Sequence, residues 1–433
     1  MSPQIVAILV LAGVFATATV LPINIGILAL IASFVVGTFV FGLEEKEIFA
    51  GFPVSLFITV VGVTYLFSVA KLNGTIDLLV RGGVRLVRGR ANLVPWVLFV
   101  VAALLTALGT FTPAAVALLV PIGMSFAFAH RISPLMIGMM VICGAHAGAF
   151  SPMAVSGALV FGIAAESGLV VSHAVLFFAS LGFNLLLAAI TYALLRRRGE
   201  ESFVERPPAD DAHPEVDLPA GGGGVATAVR TAPTTVTWHQ RLTLTALVGL
   251  VVGALAFHLQ IGFLALAAGA VLALLDRDVL GKAVEGISWP TILLVAGMVT
   301  YVGVLEHSGT IDWVSHGAVG VGAPLLVVLV LCVLVGVTSA FASSTAILTA
   351  VIPMAVPLLL TGALPAAGVI AAMAISTTIV DVSPFSTNGA LVLANARGVD
   401  RTRFYRQVIG YTCAIVGLGP IAAWAVLVLP GLV

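Results

Sequence analysis

The sequence predicts an all-α polytopic membrane protein made of two inverted repeats, and two observations carry that reading. Of its 433 residues 60% are hydrophobic and only 9% charged, with a mean hydropathy of +1.19, whereas a soluble domain carries roughly a quarter charged residues. A Ser-Pro pair followed five residues later by Gly-Ala-Leu-Val occurs once in each half, as Ser151-Pro152 with Gly157–Val160 and as Ser383-Pro384 with Gly389–Val392. A polar, proline-containing break at matching places in two apolar halves is the pattern of a midplane binding site.

Spanning helices need about 20 apolar residues. Such segments fall at 4–20, 24–42, 52–70, 134–165 and 172–195, and again at 241–257, 260–275, 290–306, 365–395 and 404–430. The first lacks a preceding basic region and is expected to span, not to be a cleaved signal. The stretches 93–130 and 322–361 are long for one helix and short for two. Each is interrupted near its middle, by Gly109-Thr110-Phe111-Thr112-Pro113 and by Ser343-Ser344-Thr345. They are expected to be re-entrant hairpins, whose tips are tolerable only when buried in protein or facing water. Segments 134–165 and 365–395 are expected to be broken helices whose second halves begin near Val155 and Thr387.

The halves repeat in order. Gly74-Thr75-Ile76-Asp77 returns as Gly309-Thr310-Ile311-Asp312, Thr64-Tyr65 as Thr300-Tyr301, and Pro121 as Pro353. Residues 1–196 form the first repeat, 197–240 a flexible polar linker, and 241–433 the second. Five crossings per repeat, an odd number, invert the second copy relative to the first. With both termini outside and the linker cytoplasmic, every Lys and Arg of the 19 except Lys46 falls on the cytoplasmic side, the bias expected of a plasma (inner) membrane protein. Segment 78–92, with Arg81, Arg85 and Arg88 among apolar residues, reads as a surface amphipathic helix.

Zero net charge implies no nucleic-acid surface. Cys143, Cys332 and Cys413 lie in apolar segments with no disulfide or metal-ligand spacing. No Ser/Lys, Ser/His or His/Glu motif at membrane depth suggests an enzyme, and no cofactor is called for. No Lys or Arg lies deep in a spanning segment, so an anion would be held by helix N-termini, backbone amides, hydroxyls and co-bound cations. Freed carbonyls at the breaks suit a hard cation such as sodium. Asp381, at membrane depth just before the second break, is suited to ligate a cation, to carry a proton or to cap the break. His146, before the first, is suited to a substrate hydrogen bond, a proton relay or an interhelical contact.

These residues together resemble the divalent-anion:sodium symporters of the ion transporter superfamily. Ser343-Ser344-Thr345 is similar to that family's Ser-Asn-Thr hairpin tip, with Ser344 in place of Asn; Phe111-Thr112-Pro113 departs further. Val382-Ser383-Pro384-Phe385-Ser386-Thr387-Asn388-Gly389 is most similar to the MatC-type malonate/dicarboxylate branch. The resemblance implies sodium-coupled uptake of a small dicarboxylate such as malonate or succinate, an elevator-like movement and a homodimer in the lipid bilayer. A sodium/proton antiporter or a proton-coupled anion transporter on the same scaffold is the alternative. The expected substrate-facing residues are Thr110, Thr112, His146, Ser151, Ser156, Ser344, Thr345, Ser383, Thr387 and Asn388. The expected sodium-facing residues are Thr110, Thr112, Ser151, Ser343, Ser344, Asp381 and Ser383. The second break, richer in polar groups, is expected to contribute more.

Overall fold

A computed structural model describes residues 2–21, 23–85, 91–166, 169, 171–196, 236–257, 259–276, 278–310, 313, 324–341, 344–360 and 364–432. Among these residues every regular element is helical. The first half holds α1 (Pro3–Val20), α2 (Ile25–Val35, continued by a π turn over Val36–Val40), α3 (Glu45–Ala50), α4 (Val54–Leu72), α5 (Thr75–Arg85), α6 (Val94–Ala107), α7 (Thr112–His130), α8 (Pro134–Gly148), α9 (Val155–Glu166) and α10 (His173–Leu195). The second holds α11 (Trp238–Ala256), α12 (Ile261–Leu275), α13 (Trp289–His307), α14 (Pro324–Ser339), α15 (Ser344–Leu360), α16 (Ala366–Ile379), α17 (Thr387–Asn395) and α18 (Arg401–Leu427). Most of the linker, 197–235, lies outside the described residues.

Five helices, α4, α7, α10, α13 and α18, are each long and apolar enough to cross a bilayer. Helix α7 forms the second arm of the 93–130 stretch, so that arm reaches spanning length where the sequence suggested two short ones. Large apolar side chains point outward, among them Phe178 and Leu194 on α10, Phe263 and Leu274 on α12 and Leu418 on α18. Water would penalise such a surface, and hydrocarbon accepts it. The chain is therefore an α-helical polytopic membrane protein. Inside, α8 is buried along its whole length and α16 from Val369 onward, as expected of helices apolar on all sides.

The helix order of the first half returns in the second, and the packing is reciprocal. Helix α2 lies against α13, and α12 against α4. Helix α7 packs on α17, and α15 on α9. Within each half the hairpin arm and the last helix flank the broken helix: α6 and α10 on α8, α14 and α18 on α16. The repeated Gly-Thr has a local reason, since Gly74 (φ +76°) and Gly309 (φ +66°) both end their helices in the left-handed region that favours glycine.

Two glycine contacts hold α2 to α13 and α4 to α12. A side chain on Gly297 would meet the carbonyl of Gly26, and one on Gly62 the carbonyl of Gly262. Such backbone-to-backbone approach is what packs helices in lipid, where apolar burial drives little. Gly297→Leu is expected to force these helices apart, an overpacking of about 1–3 kcal/mol or more. Size-exclusion profiles in detergent should show aggregation or loss of the protein, while Gly249→Leu, which meets nothing nearby, keeps a single peak.

Candidate functional site

Helices α8 and α16 stop inside the molecule, and the backbone groups they release must find partners. At the first break the hydroxyl of Ser151 accepts from the amides of Met153 (3.3 Å) and Ala154 (3.2 Å) and donates to the carbonyl of Ala107 at the end of α6. Ser180 of α10 donates to the carbonyl of His146 at 3.0 Å. At the second break Ser386 accepts from the Gly389 amide (3.3 Å) and donates to the carbonyls of Asp381 and Ser383, both at 2.8 Å. Ser383 accepts from the Phe385 amide at 3.2 Å, and Ser339 of α14 donates to the Thr377 carbonyl at 2.7 Å. The repeated Gly-Ala-Leu-Val begins with glycine for a steric reason: a side chain on Gly157 would meet the carbonyl of Ser151, and one on Gly389 that of Ser383.

The second break also carries a buried polar cluster. Oδ2 of Asp381 accepts from Nδ2 of Asn388 at 2.9 Å and from the hydroxyl of Ser344 at 3.2 Å. Nε2 of His146 lies 3.6 Å from the same oxygen and 3.4 Å from the Asn388 amide nitrogen. Asp381 is 5% exposed, His146 2% and Asn388 0%. Among the described residues Oδ1 of Asn388 and Nδ1 of His146 are buried without a partner. An unmade hydrogen bond of this kind costs about 1–3 kcal/mol.

A cavity of about 430 Å³ opens beside the cluster. Its wall is built from the starts of six helices: Asn24 and Ile25 of α2, Thr112 and Pro113 of α7, Ser156 of α9, Pro290 and Thr291 of α13, Ser344 and Thr345 of α15, Ser386 and Thr387 of α17. Each start carries the positive end of a helix dipole, although Asn24 and Ser386 already take an amide of their own turns and Pro113 and Pro290 have none to give. His146, Thr378 and Asp381 complete the polar lining, with Phe341 and Phe385 stacked 5.4 Å apart along it. Among the described residues no Lys or Arg lines this cavity.

A second cavity, about 510 Å³, is lined by Thr64, Ser68 and Lys71 of α4, by Thr110 and Phe111 at the first hairpin tip, by Ser288 before α13 and by Asn395 at the end of α17. Phe111 lines both cavities.

The first cavity thus gathers Thr112, His146, Ser156, Ser344, Thr345, Asp381 and Thr387. Asn388 joins through Asp381 without forming the wall. Ser151 and Ser383 do not line it, because their hydroxyls are engaged in closing the breaks. Thr110 lies in the second cavity, turned away by the left-handed Gly109 (φ +120°) that forms the tip. Ser343 lies outside the described residues. Sequence reasoning missed Asn24, Thr291 and Ser386. The signal for Asn24 was its place as a helix cap: it accepts from the Gly26 amide at 2.8 Å, and its Nδ2 donates to the carbonyl of Pro290 at 2.8 Å.

As a cation site the cluster offers oxygens: the Asp381 carboxylate, the Ser344 hydroxyl and Oδ1 of Asn388. These are hard donors of the type alkali ions take. Among the described residues no group of three His, Cys, Asp or Glu side chains assembles.

The fold and this site define the class, a polytopic helical membrane protein with two helix breaks facing one cavity. Comparisons with known proteins agree with that class. The family model described as the N-terminus of the dicarboxylate carrier protein MatC matches residues 1–149, about a third of the chain. Among solved structures, the YdaH transporter of Alcanivorax borkumensis, whose crystal structure is described as having an unusual topology, is similar over 98% of this chain and 98% of its own. The TM-score is 0.62 at 15% identity, which shows a shared fold. No curated protein matches the chain by sequence.

Gly389→Ala is expected to push the Ser383 carbonyl away from α17 and loosen the second break, lowering stability by about 1–3 kcal/mol. Thermal unfolding in detergent followed by tryptophan fluorescence should show a lower midpoint than the parent protein. An unchanged midpoint would remove the steric reason given for the repeated glycine.

Proposed function

We propose that this chain is a secondary active transporter that imports a small dicarboxylate, malonate- or succinate-like, together with a cation. The convergence of six helix starts on a cavity with no Lys or Arg among its described residues carries the reading. Oriented amides and dipole ends attract carboxylates, while the Asp381 carboxylate beside them repels a dianion unless a cation neutralises it. The match of residues 1–149 to the MatC family model supports a dicarboxylate as the anion, and membership of that family.

Sodium is the first candidate for the cation, given the oxygens at Asp381, Ser344 and Asn388. The elevator reading is supported by the position of the cavities: the first lies between α2 and α13 on one side and the hairpin tips and breaks on the other, and the second between α4 and the first hairpin tip. The same reading extends to inverted orientation of the two repeats, re-entrant hairpins, cytoplasmic placement of the linker and a homodimer. Proton coupling is the alternative, favoured by the 3.6 Å approach of His146 to Asp381.

Uptake of labelled malonate or succinate into proteoliposomes, driven by a sodium gradient, tests the proposal. Sodium-dependent accumulation is expected; sodium/proton exchange without anion movement would replace it with the antiporter. Asn388→Ala removes the donor that holds Asp381 and is expected to lower uptake about tenfold or more with expression intact. Asp381→Asn should abolish the dependence on the coupling cation; identical sodium and pH responses would take Asp381 out of the coupling.

A further inference from the structure

The second cavity holds a basic side chain that the proposed transport site lacks among its described residues. Lys71 sits in the last turn of α4, and its side chain is exposed at the cavity wall. Around it stand the hydroxyls of Thr64, Ser68 and Ser288 and the amide of Asn395, all lining residues. Thr110 completes the wall, and its hydroxyl is buried without a partner among the described residues. The rest of the wall is apolar, with Phe67, Ile76, Phe111 and Leu118 among it, so a single ammonium with a few hydroxyls and an amide against an apolar face is chemistry for the carboxylate of a small organic anion. Among the described residues no carboxylate forms an ion pair with Lys71.

The two cavities share part of their wall. Phe111 faces both. On the α13 side, Ser288 of the second cavity is hydrogen-bonded to Thr291 of the first, hydroxyl to hydroxyl at 2.7 Å. The Phe111 ring and this hydroxyl pair thus stand on the boundary between Lys71 and the helix starts.

We infer that Lys71 and its cavity form a second, weaker carboxylate-binding site, an anteroom in which the dicarboxylate is held on its way to or from the site at the breaks, with Phe111 on the wall the two cavities share. The inference rests on the transport reading for its route, but the site itself is testable without transport. Lys71 is a capture residue: it concentrates anions by charge and takes no part in the cation cluster. Its contribution is that of one partly solvated charge, worth about a three- to fivefold change in apparent affinity at low salt.

The test is acetylation of the purified full-length protein with an amine-reactive ester, followed by peptide mass spectrometry, with and without malonate. Malonate is expected to slow acetylation of Lys71 at least threefold while leaving Lys46 and Lys282 unaffected, with acetate less effective. Equal rates with and without malonate would overturn the site, whatever the transport assay gives. In proteoliposomes, Lys71→Gln should raise KM for malonate about three- to fivefold at low ionic strength with kcat unchanged. Lys71→Arg should restore KM, and the difference should fade in high salt. A Lys71→Gln protein with parental KM would also overturn the inference. Protection of Lys71 in a protein that moves no dicarboxylate would keep this site and reject the transport reading instead.

Discussion

A helix that stops where no water reaches must satisfy its released amides and carbonyls from protein alone, and the rest of this molecule is arranged around that constraint. Serine solves it twice. Ser151 takes two amides of its own turn and ties the break to the end of α6 through the Ala107 carbonyl. Ser386 closes the other break by linking Gly389 to the carbonyls of Asp381 and Ser383. Neighbouring helices supply the remaining donors, Ser180 to His146 and Ser339 to Thr377. The hairpins and last helices are thus held to the broken helices by hydrogen bonds that the breaks make necessary, in addition to apolar packing.

The two breaks differ in what they leave over. At the first, the polar side chain is consumed by the backbone, and the adjacent Ala149, Ala154 and Val155 add nothing charged. At the second, closure falls to Ser383 and Ser386, which frees Asp381 and Asn388 to face His146 and Ser344. A near-symmetric fold therefore produces an asymmetric site. The pseudo-symmetry sets where the helix starts converge, and four side chains decide what chemistry meets there.

Much of this was legible in the sequence because it is local. Val155 and Thr387 are the first residues of α9 and α17, as the spacing after each Ser-Pro pair predicted, and Ser344 opens α15. The identity of the wall was less legible, since it depends on pairs far apart in the chain. Asn24 meets Pro290 only because glycines let α2 and α13 close on each other. Thr110 and Thr112 are two residues apart yet line different cavities, because the turn at Gly109 directs them to opposite sides of the tip. Ser151 and Ser383 were read correctly as break residues. Composition could not reveal that their hydroxyls are turned to the backbone and away from the cavity.

The distribution of tight contacts bears on the proposed elevator movement. Where α2 meets α13 and α4 meets α12, backbone approaches backbone, and a single methyl group would overlap a carbonyl. Interfaces of this kind are poorly suited to sliding, because any shift breaks close packing along the whole crossing. The first cavity instead lies where α2 and α13 face the hairpin tips and breaks, and the second where α4 faces the first tip, with walls that include hydroxyls, amides and the rings of Phe111, Phe341 and Phe385. Movement along that boundary would carry Asp381, Asn388 and the starts of α15 and α17 together, since they are bonded to one another. The partners they would leave behind are Asn24 and Thr291, which belong to the glycine-packed part. The elevator reading needs this division: the groups that neutralise and hold the anion travel as one unit, while the surface they slide past stays fixed.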